Sequence, residues 1–255
     1  MGILNLTPDS CSEDGFYDRV EAAVAQAKRF VAEGADIIDV GGQSTRPASE
    51  PVSLDEELKR VIPVLERLSG QLSVPLSIDT SKSEVARRAV AAGARMINDV
   101  WGLKQDPALA EVAAEAGVPL VLAANERDMT VTDIVPQVIA DLKVAIRLAR
   151  KAGVPEENII VDPGIGFGKT LEQNLELIDR LAELKVLGQP ILLGTSRKSV
   201  IGLVLDLPVG ERLMGTAATN AIGIANGADI IRVHDVKEMA QVCRMSDAII
   251  RRRQQ

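Results

Sequence analysis

Acidic and amide side chains stand directly after several short apolar runs of this chain. Asp79 and Asp162 each end such a run, in the sequences Ser-Ile-Asp and Ile-Val-Asp, and Asn98 ends another. An ionised carboxylate accepts N–H hydrogen bonds, and an amide offers both a donor and an acceptor. Brought together, these side chains would bind a small polar ligand. A single acid at such a position can instead cap the next helix, as we expect for Asp9 and Asp106.

The seventh apolar run adds cations to this set. It reads Pro-Ile-Leu-Leu-Gly-Thr and predicts a buried strand, which Ser196, Arg197 and Lys198 follow. These residues are suited to an anion or a planar polar ligand, although a solvated loop also carries such charges. Arg232 and His234 occupy the corresponding place after the eighth run and are further candidates for binding an anion.

A glycine-rich motif, Gly-Ile-Gly-Phe-Gly-Lys-Thr, begins at Gly164 and is similar to a phosphate-binding loop without fitting it. That loop requires Gly where this chain has Pro163, and the dinucleotide-binding pattern requires Gly where it has Lys169. We therefore predict a tight turn whose backbone lies close to a ligand.

Strands and helices alternate along the whole chain and must position these residues. The predicted strands are 1–6, 35–40, 75–80, 94–100, 119–124, 159–161, the run from 190 and 228–233, and the predicted helices are 17–33, 53–68, 82–92, 106–116, 136–152, 171–184, 211–225 and 236–253. Eight such units predict an α/β fold, a (β/α)₈ TIM barrel with its site at the C-terminal ends of the strands. The alternative is a doubly wound open sheet, which uses fewer strands. No linker divides the chain, so we expect one domain over residues 1–255.

Composition narrows the class of protein. Of the 255 residues, 46% are hydrophobic but only 2% aromatic, so the core must be built from aliphatic side chains. The net charge of −7 argues against a nucleic-acid partner. Two cysteines give no disulfide framework, and no apolar run is long enough to span a membrane, so we expect a cytoplasmic protein. A single histidine excludes a multi-histidine metal site.

Seven short blocks carry a resemblance to a known family. They lie at 2–10, 41–47, 78–80, 97–100, 162–169, 194–199 and 232–235, and include Gly-Gly-Gln-Ser-Thr-Arg-Pro, Asp-Pro-Gly-Ile-Gly-Phe-Gly-Lys and Gly-Thr-Ser-Arg-Lys-Ser. Together they resemble, in family order, the signature blocks of the dihydropteroate synthases. The resemblance implies a transferase of folate biosynthesis that condenses 7,8-dihydropterin-6-ylmethyl diphosphate with p-aminobenzoate to give 7,8-dihydropteroate and diphosphate.

The resemblance also implies roles for single residues. Asp79, Lys198, Arg232 and His234 would be catalytic, with Asp79 stabilising a cationic pterin. The pterin would lie against Asp79, Asn98, Asp162 and Lys198, the diphosphate against Arg232, His234 and Asn5, and the p-aminobenzoate against Thr45, Pro47, Phe167, Ser196 and Lys198; Arg46 and Gly194 complete the substrate-binding set. Arg197 would orient its loop. The arylamine needs little activation, which agrees with a chain in which we find no nucleophile–histidine pair.

The same resemblance implies Mg²⁺ as cofactor, with Asn5 as its protein ligand, and a homodimer in which the final helix is a plausible interface. The loops 7–18 and 43–53 would close over the site. The chain departs from the family pattern in these loops and at the fifth strand: Cys11 replaces Phe, Glu13-Asp14 replaces Asp-Gly, Gln43 replaces Glu, Ala48 replaces Gly and Ala123-Ala124 replaces Met-His. We expect these changes to alter p-aminobenzoate affinity, turnover and the response to sulfonamides.

Two other functions remain open on the sequence. A methyltetrahydrofolate–corrinoid methyltransferase would share the pterin-binding acids but has no need of the cations at Lys198 and Arg232. A non-catalytic paralogue would bind pterin or diphosphate without turnover, and the changes at Cys11 and Ala124 keep it possible.

Overall fold

The computed structural model describes residues 1–6, 16–43, 52–127 and 131–254. Within them, eight short strands alternate with helices, as the sequence predicts. The strands are β1 (Gly2–Asn5), β2 (Ile38–Gly41), β3 (Leu76–Asp79), β4 (Met96–Asp99), β5 (Leu120–Ala123), β6 (Ile159–Asp162), β7 (Leu192–Leu193) and β8 (Ile230–Ile231).

The strands form a closed ring of parallel neighbours. Strands β1 to β6 pair in chain order, and β7 pairs with β8. Two parallel bridges join these sheets, one between Val161 and Ile191 and one between Gly2 and Val233. The second is supported by a hydrogen bond from the Ile3 amide to the Val233 carbonyl at 2.9 Å. The predicted TIM barrel is therefore confirmed, and an open sheet is excluded.

Helices surround the strands at nearly the predicted positions. They are α1 (Phe16–Ala32), α2 (Leu54–Leu68), α3 (Ser83–Ala91), α4 (Leu109–Ala116), α5 (Ile134–Lys151), α6 (Leu171–Asp179), α7 (Ser199–Leu205), α8 (Leu213–Ala225) and α9 (Val236–Ile250). Asp106 accepts from the Ser83 amide at the start of α3 at 2.7 Å and from the Ala108 amide at 3.1 Å. Helix α4 has Ala108 at its N-cap and no side-chain cap, so the predicted capping of the next helix by Asp106 is wrong. Asp9 lies outside the described residues.

Two helices differ from the prediction, one in its extent and one because it was not predicted. Helix α6 ends at Asp179, and a 3₁₀ helix continues over Leu181–Leu187, where a single helix to 184 was expected. Helix α7 was missed because its seven residues, Ser-Val-Ile-Gly-Leu-Val-Leu, are too few to display helical periodicity. It begins directly after Lys198, so it restricts the backbone next to that residue.

The core has two parts, outside and inside the barrel. A large aliphatic cluster lies between strands and helices, and a small one consists of Met1, Met96, Val121, Ile160 and Leu192. Side chains alternate between the two sides of a strand. Since Ile160 stands two residues before Asp162, that carboxylate also faces the interior. The polar residues therefore form the layer above this inner cluster. No helix in the described parts of the chain is long and apolar enough to cross a membrane.

Candidate functional site

The ends of β2, β3 and β4 place polar side chains next to one another. In the parallel register, Gly41 lies beside Asp79, and Asp79 lies beside Asn98. All three positions are buried, and so is Asp39, two residues before Gly41. No role was predicted for Asp39 from the sequence. It carried the same signal as Asp79, an acid within an apolar strand.

Arg232 crosses the barrel mouth to bridge two carboxylates. Its Nε donates to Asp39 Oδ2 at 2.6 Å, and its Nη2 donates to Asp79 Oδ2 at 2.5 Å. The Nδ2 of Asn98 donates to the same Asp39 oxygen at 3.0 Å. Asn98 Oδ1 and Asp39 Oδ1 are buried and have no hydrogen-bond partner among the described residues. The amide of Asn98 is thus oriented by Asp39, which leaves its oxygen as an acceptor for a ligand.

Burial changes the protonation of the acids in this group. It raises the pKa of Asp79 to about 7, with Arg232 opposing the shift and the charge of Asp39 adding to it. Burial also raises the pKa of Asp99 to about 6, although that carboxylate accepts from the Leu103 and Trp101 amides. Those bonds assign Asp99 to the turn after β4, where Leu103 has a φ of 67°.

The loop after β6 brings backbone into the site, as the glycine motif predicts. Asp162 Oδ1 accepts from the Gly164 amide at 2.7 Å. A Cβ on Gly164 would lie 1.7 Å from the Ala124 carbonyl oxygen, and φ there is +69°, so only glycine fits. Burial raises the pKa of Asp162, and Lys198 opposes that shift. Asp162 therefore faces the same interior as Asp79 from the opposite side of the ring.

Lys198 lies over this loop. Its Nζ donates to the Ile165 carbonyl at 2.5 Å and stands 4.7 Å from the centre of the Phe167 ring. Burial, partly offset by the attraction of Asp162, lowers the pKa of Lys198 to about 8. The guanidinium of Arg127, which the sequence analysis missed, lies 4.8 Å from the same ring. Phe167 is thus in contact with two cations, an arrangement that holds an aromatic ring by cation–π attraction.

Ser196 and His234 join the ends of β7 and β8. Ser196 Oγ lies 3.0 Å from His234 Nδ1 and accepts from the His234 amide at 3.1 Å. The sequence showed no nucleophile–histidine pair, and the fold brings this hydroxyl and imidazole together from positions 38 residues apart. The hydroxyl is buried and already engaged with His234, so the pair orients the imidazole. Arg197 forms a two-point ion pair with Asp235, the geometry expected of a loop-orienting residue.

The remaining expected residues fall into two groups. A Cβ on Gly194 would lie 3.9 Å from both Lys198 Nζ and Arg232 Cβ, so Gly194 separates these cations. Asn5 ends β1, and a Cβ on the neighbouring Gly41 would lie 3.6 Å from Asn5 Oδ1. The other group lies outside the described residues: Thr45, Arg46, Pro47, Cys11, Glu13, Asp14 and Ala48.

A buried ion pair next to the glycine loop after β6 was not predicted from the sequence. Lys169 pairs with Glu126, and the side chains of both are 0% exposed. Nothing in the sequence distinguishes Glu126 from a solvated loop acid. In the described parts of the chain, no group of three His, Cys, Asp or Glu side chains is arranged to hold a metal ion.

The chain resembles known proteins over nearly its whole length. A family model described as "Pterin binding enzyme" matches residues 1–234. The dihydropteroate synthase of Bacillus subtilis (strain 168) is 53% identical over 250 residues, which cover 98% of this chain and 88% of that protein.

Solved structures agree with the fold. A dihydropteroate synthase from Clostridium difficile, crystallised in the presence of pteroic acid, superposes with a TM-score of 0.95 at 50% identity and covers 98% of this chain and 95% of that chain. The Xanthomonas albilineans enzyme with 4-aminobenzoic acid superposes with a TM-score of 0.93 at 43% identity and covers 98% and 92% of the two chains.

Proposed function

This chain belongs to the dihydropteroate synthases within the family of pterin-binding enzymes, and we propose how its barrel mouth performs their reaction. The enzyme condenses 7,8-dihydropterin-6-ylmethyl diphosphate with p-aminobenzoate and releases diphosphate. The relative and the solved structures reported above carry the synthase name, which favours this reaction over the methyltransferase and the non-catalytic paralogue. We propose the following roles for individual residues in this reaction.

The pterin is proposed to lie between the carboxylates of Asp79 and Asp162. One observation carries this assignment: Asn98 Oδ1 is buried, unpartnered among the described residues and adjacent to Asp79. An unsatisfied buried acceptor costs free energy until a ligand donates to it. A pterin edge has N–H donors for the carboxylates and for Asn98, and acceptors for the Lys198 ammonium.

The diphosphate is proposed to bind at Arg232 and His234. The guanidinium presents several donors, two of which hold Asp39 and Asp79. The C–O bond between the pterin methylene and the diphosphate breaks, and the electron pair leaves with the diphosphate oxygen. The arylamine nitrogen then forms a bond to that carbon and loses a proton. An ionised Asp79 stabilises the cationic pterin between these events.

Mg²⁺ is proposed to be held by Asn5. An amide oxygen suits this hard cation, which binds proteins through one or two oxygen ligands and substrate phosphates. The structure fits such a site, because Asn5 Oδ1 and the Asp79 side chain both flank Gly41. When bound, the ion neutralises charge on the departing diphosphate.

The p-aminobenzoate is proposed to lie over Phe167, with its carboxylate near Lys198 and Ser196. Gly194 leaves room between the cations, and Thr45, Arg46 and Pro47 would complete the pocket. The assay for the whole assignment combines the pterin diphosphate, Mg²⁺ and labelled p-aminobenzoate. Labelled dihydropteroate that disappears on chelation of the metal is expected. Retained pterin binding without labelled product would contradict it.

A homodimer is proposed through an exposed apolar face. Met214 and Ile222 of α8, Leu203 and Val204 of α7 and Met245 of α9 are exposed, and α7 and α9 both pack against α8. Large exposed apolar surface on neighbouring helices is typical of an interface. Light scattering should report a dimer for the native chain and a monomer for Met214→Glu. We also propose a single domain working in the cytoplasm, since the first and last strands pair with each other and the cysteines are few.

A further inference from the structure

The buried pair of Lys169 and Glu126 has more contacts than an ion pair requires. Beyond the carboxylate, Lys169 Nζ donates to the carbonyl oxygens of Ala124 at 3.0 Å, Gly164 at 2.9 Å and Phe167 at 3.2 Å. The ammonium therefore joins the end of β5 to both ends of the glycine loop after β6. The other carboxylate oxygen, Glu126 Oε1, is buried without a partner among the described residues.

Stability does not explain this pair. Removing two charges from water costs more than their attraction commonly returns, and an apolar pair of similar volume is often as stable. Burial raises the pKa of Glu126 and lowers the pKa of Lys169, which expresses that cost. What an apolar pair would not supply is the set of hydrogen bonds from the ammonium to three backbone carbonyls.

These hydrogen bonds concern the glycine loop. A Cβ on Gly168 would lie 2.3 Å from Glu126 C and from Arg127 N, so the two backbones are in direct contact there. The Glu126 amide donates to the Phe167 carbonyl at 3.3 Å. Three glycines with positive φ give this loop many alternative conformations. Lys169 favours one of these conformations, because its ammonium donates hydrogen bonds to two carbonyl oxygens of the loop, those of Gly164 and Phe167.

The selected conformation determines what Lys198 contacts. The Ile165 carbonyl accepts from Lys198 Nζ, and the Phe167 ring lies beneath that ammonium. Both groups belong to the segment that Lys169 spans. We propose that Lys169, held by Glu126, is a positioning residue that fixes the loop so that Ile165 and Phe167 place Lys198 for substrate. This inference rests on the proposed function, in which Lys198 contacts both substrates.

The decisive variant is the neutral double mutant Glu126→Gln/Lys169→Met, which leaves no buried charge. It should fold with a Tm close to that of the native enzyme. Its KM for p-aminobenzoate should rise about tenfold, because a small misplacement of a binding group has large effects. Pterin affinity should fall by a smaller factor, because Asp162 and Lys198 contact this loop whereas Asp79 and Asn98 are held by Arg232 and Asp39. Lys104→Met is the matched control: Lys104 donates to the Asn125 carbonyl at 2.6 Å but not to the loop, so its KM should be native.

The outcomes separate the two proposals. A folded double mutant with native KM values for both substrates would overturn the positioning role while leaving the proposed function intact. A native enzyme that makes no labelled product would overturn the proposed function itself. If the double mutant fails to fold, Lys169→Met alone decides: it removes all three carbonyl contacts, and a native KM in that folded variant would also overturn the role.

Discussion

The two sides of the barrel mouth achieve burial of charge by different means. On the side of β2 to β4, side chains bind side chains: Arg232 bridges Asp39 and Asp79. On the side of β6 and β7, backbone does the binding, since Asp162 accepts from an amide and Lys198 donates to a carbonyl. Because the pKa of Asp79 is about 7, the first side should respond to pH below 7. The second side, where the pKa of Lys198 is about 8, should respond most to changes in backbone conformation.

The largest effect is expected from adding a Cβ atom to the glycine loop after β6, on the side of the barrel mouth where backbone groups bind the charged side chains. Gly164→Ala places that atom 1.7 Å from the Ala124 carbonyl oxygen at a φ of +69°. Strain and overpacking together should lower the free energy of unfolding by about 4 kcal/mol. Gly117→Ala is the control, because its φ is +64° but nothing lies within 4 Å of the added atom. Denaturant titration measures the free energy of unfolding of both variants. If both lost the same amount, the contact with the Ala124 carbonyl oxygen would not be the cause of the loss.

Lys198→Ala is expected to follow in size. The variant loses a buried cation that faces Asp162 and contacts Phe167. Charged hydrogen bonds are strong, so affinity for both pterin and p-aminobenzoate should fall about a hundredfold. Calorimetric titration of each ligand measures this. A variant that lost stability but bound both ligands normally would contradict the placement of Lys198 between the substrates.

The side built from side chains should titrate. The pKa of Asp79 in the folded protein, about 7, lies above the usual value of 3.8 for an aspartate side chain. The folded protein therefore holds a proton that the unfolded chain releases, and stability should fall as the pH rises from about 4 to 7. Pterin affinity should change in the opposite direction, because the ionised carboxylate accepts the ligand's N–H groups; it should be about tenfold weaker at pH 6 than at pH 8.

Asp79→Asn is the control for that titration. It cannot ionise, so its pterin affinity should be low and should no longer change between pH 6 and 7; above pH 7 only the loss of charge on Lys198, whose pKa is about 8, should still change it. If the pterin affinity of this variant depended on pH as it does in the native protein, the titration would belong to another group. The two sides of the barrel mouth would then not differ in their response to pH.

The smallest effect is expected where the two sides are joined. Arg197 and Asp235 connect the loops after β7 and β8, and the guanidinium is partly exposed. Exposed ion pairs contribute little, so Arg197→Ala should lower the free energy of unfolding by about 1 kcal/mol or less. Diphosphate binding should be native, which competition with inorganic diphosphate would measure. A large loss of diphosphate affinity would make Arg197 part of the anion site.

Residues that stand at fixed places along single strands were accessible from the sequence. Asp79, Asn98 and Asp162 each end an apolar run. The alternation of side chains along a strand is enough to predict that all three face the interior of the barrel. The glycine loop was also predictable, because Pro163 and Lys169 exclude the two nucleotide-binding patterns and the glycines predict a turn. The short helix α7 was not, since seven residues are too few to show a helical period.

Long-range pairing was decided by the tertiary structure. Asp39 and Arg232 are 193 residues apart, and no local pattern indicates that they share a hydrogen bond. The orientation of the Asn98 amide follows from that same Asp39. Glu126 and Lys169, which are 43 residues apart, become a buried pair only because β5 and β6 lie side by side.

The sequence by itself therefore determined which chemistry is present and at which end of the barrel it lies, because side-chain type and strand period are local properties. Only the folded ring decided which charges neutralise one another and which polar atoms are left for a ligand. Those outcomes depend on distances between residues far apart in the chain, and closure of the barrel sets them all at once.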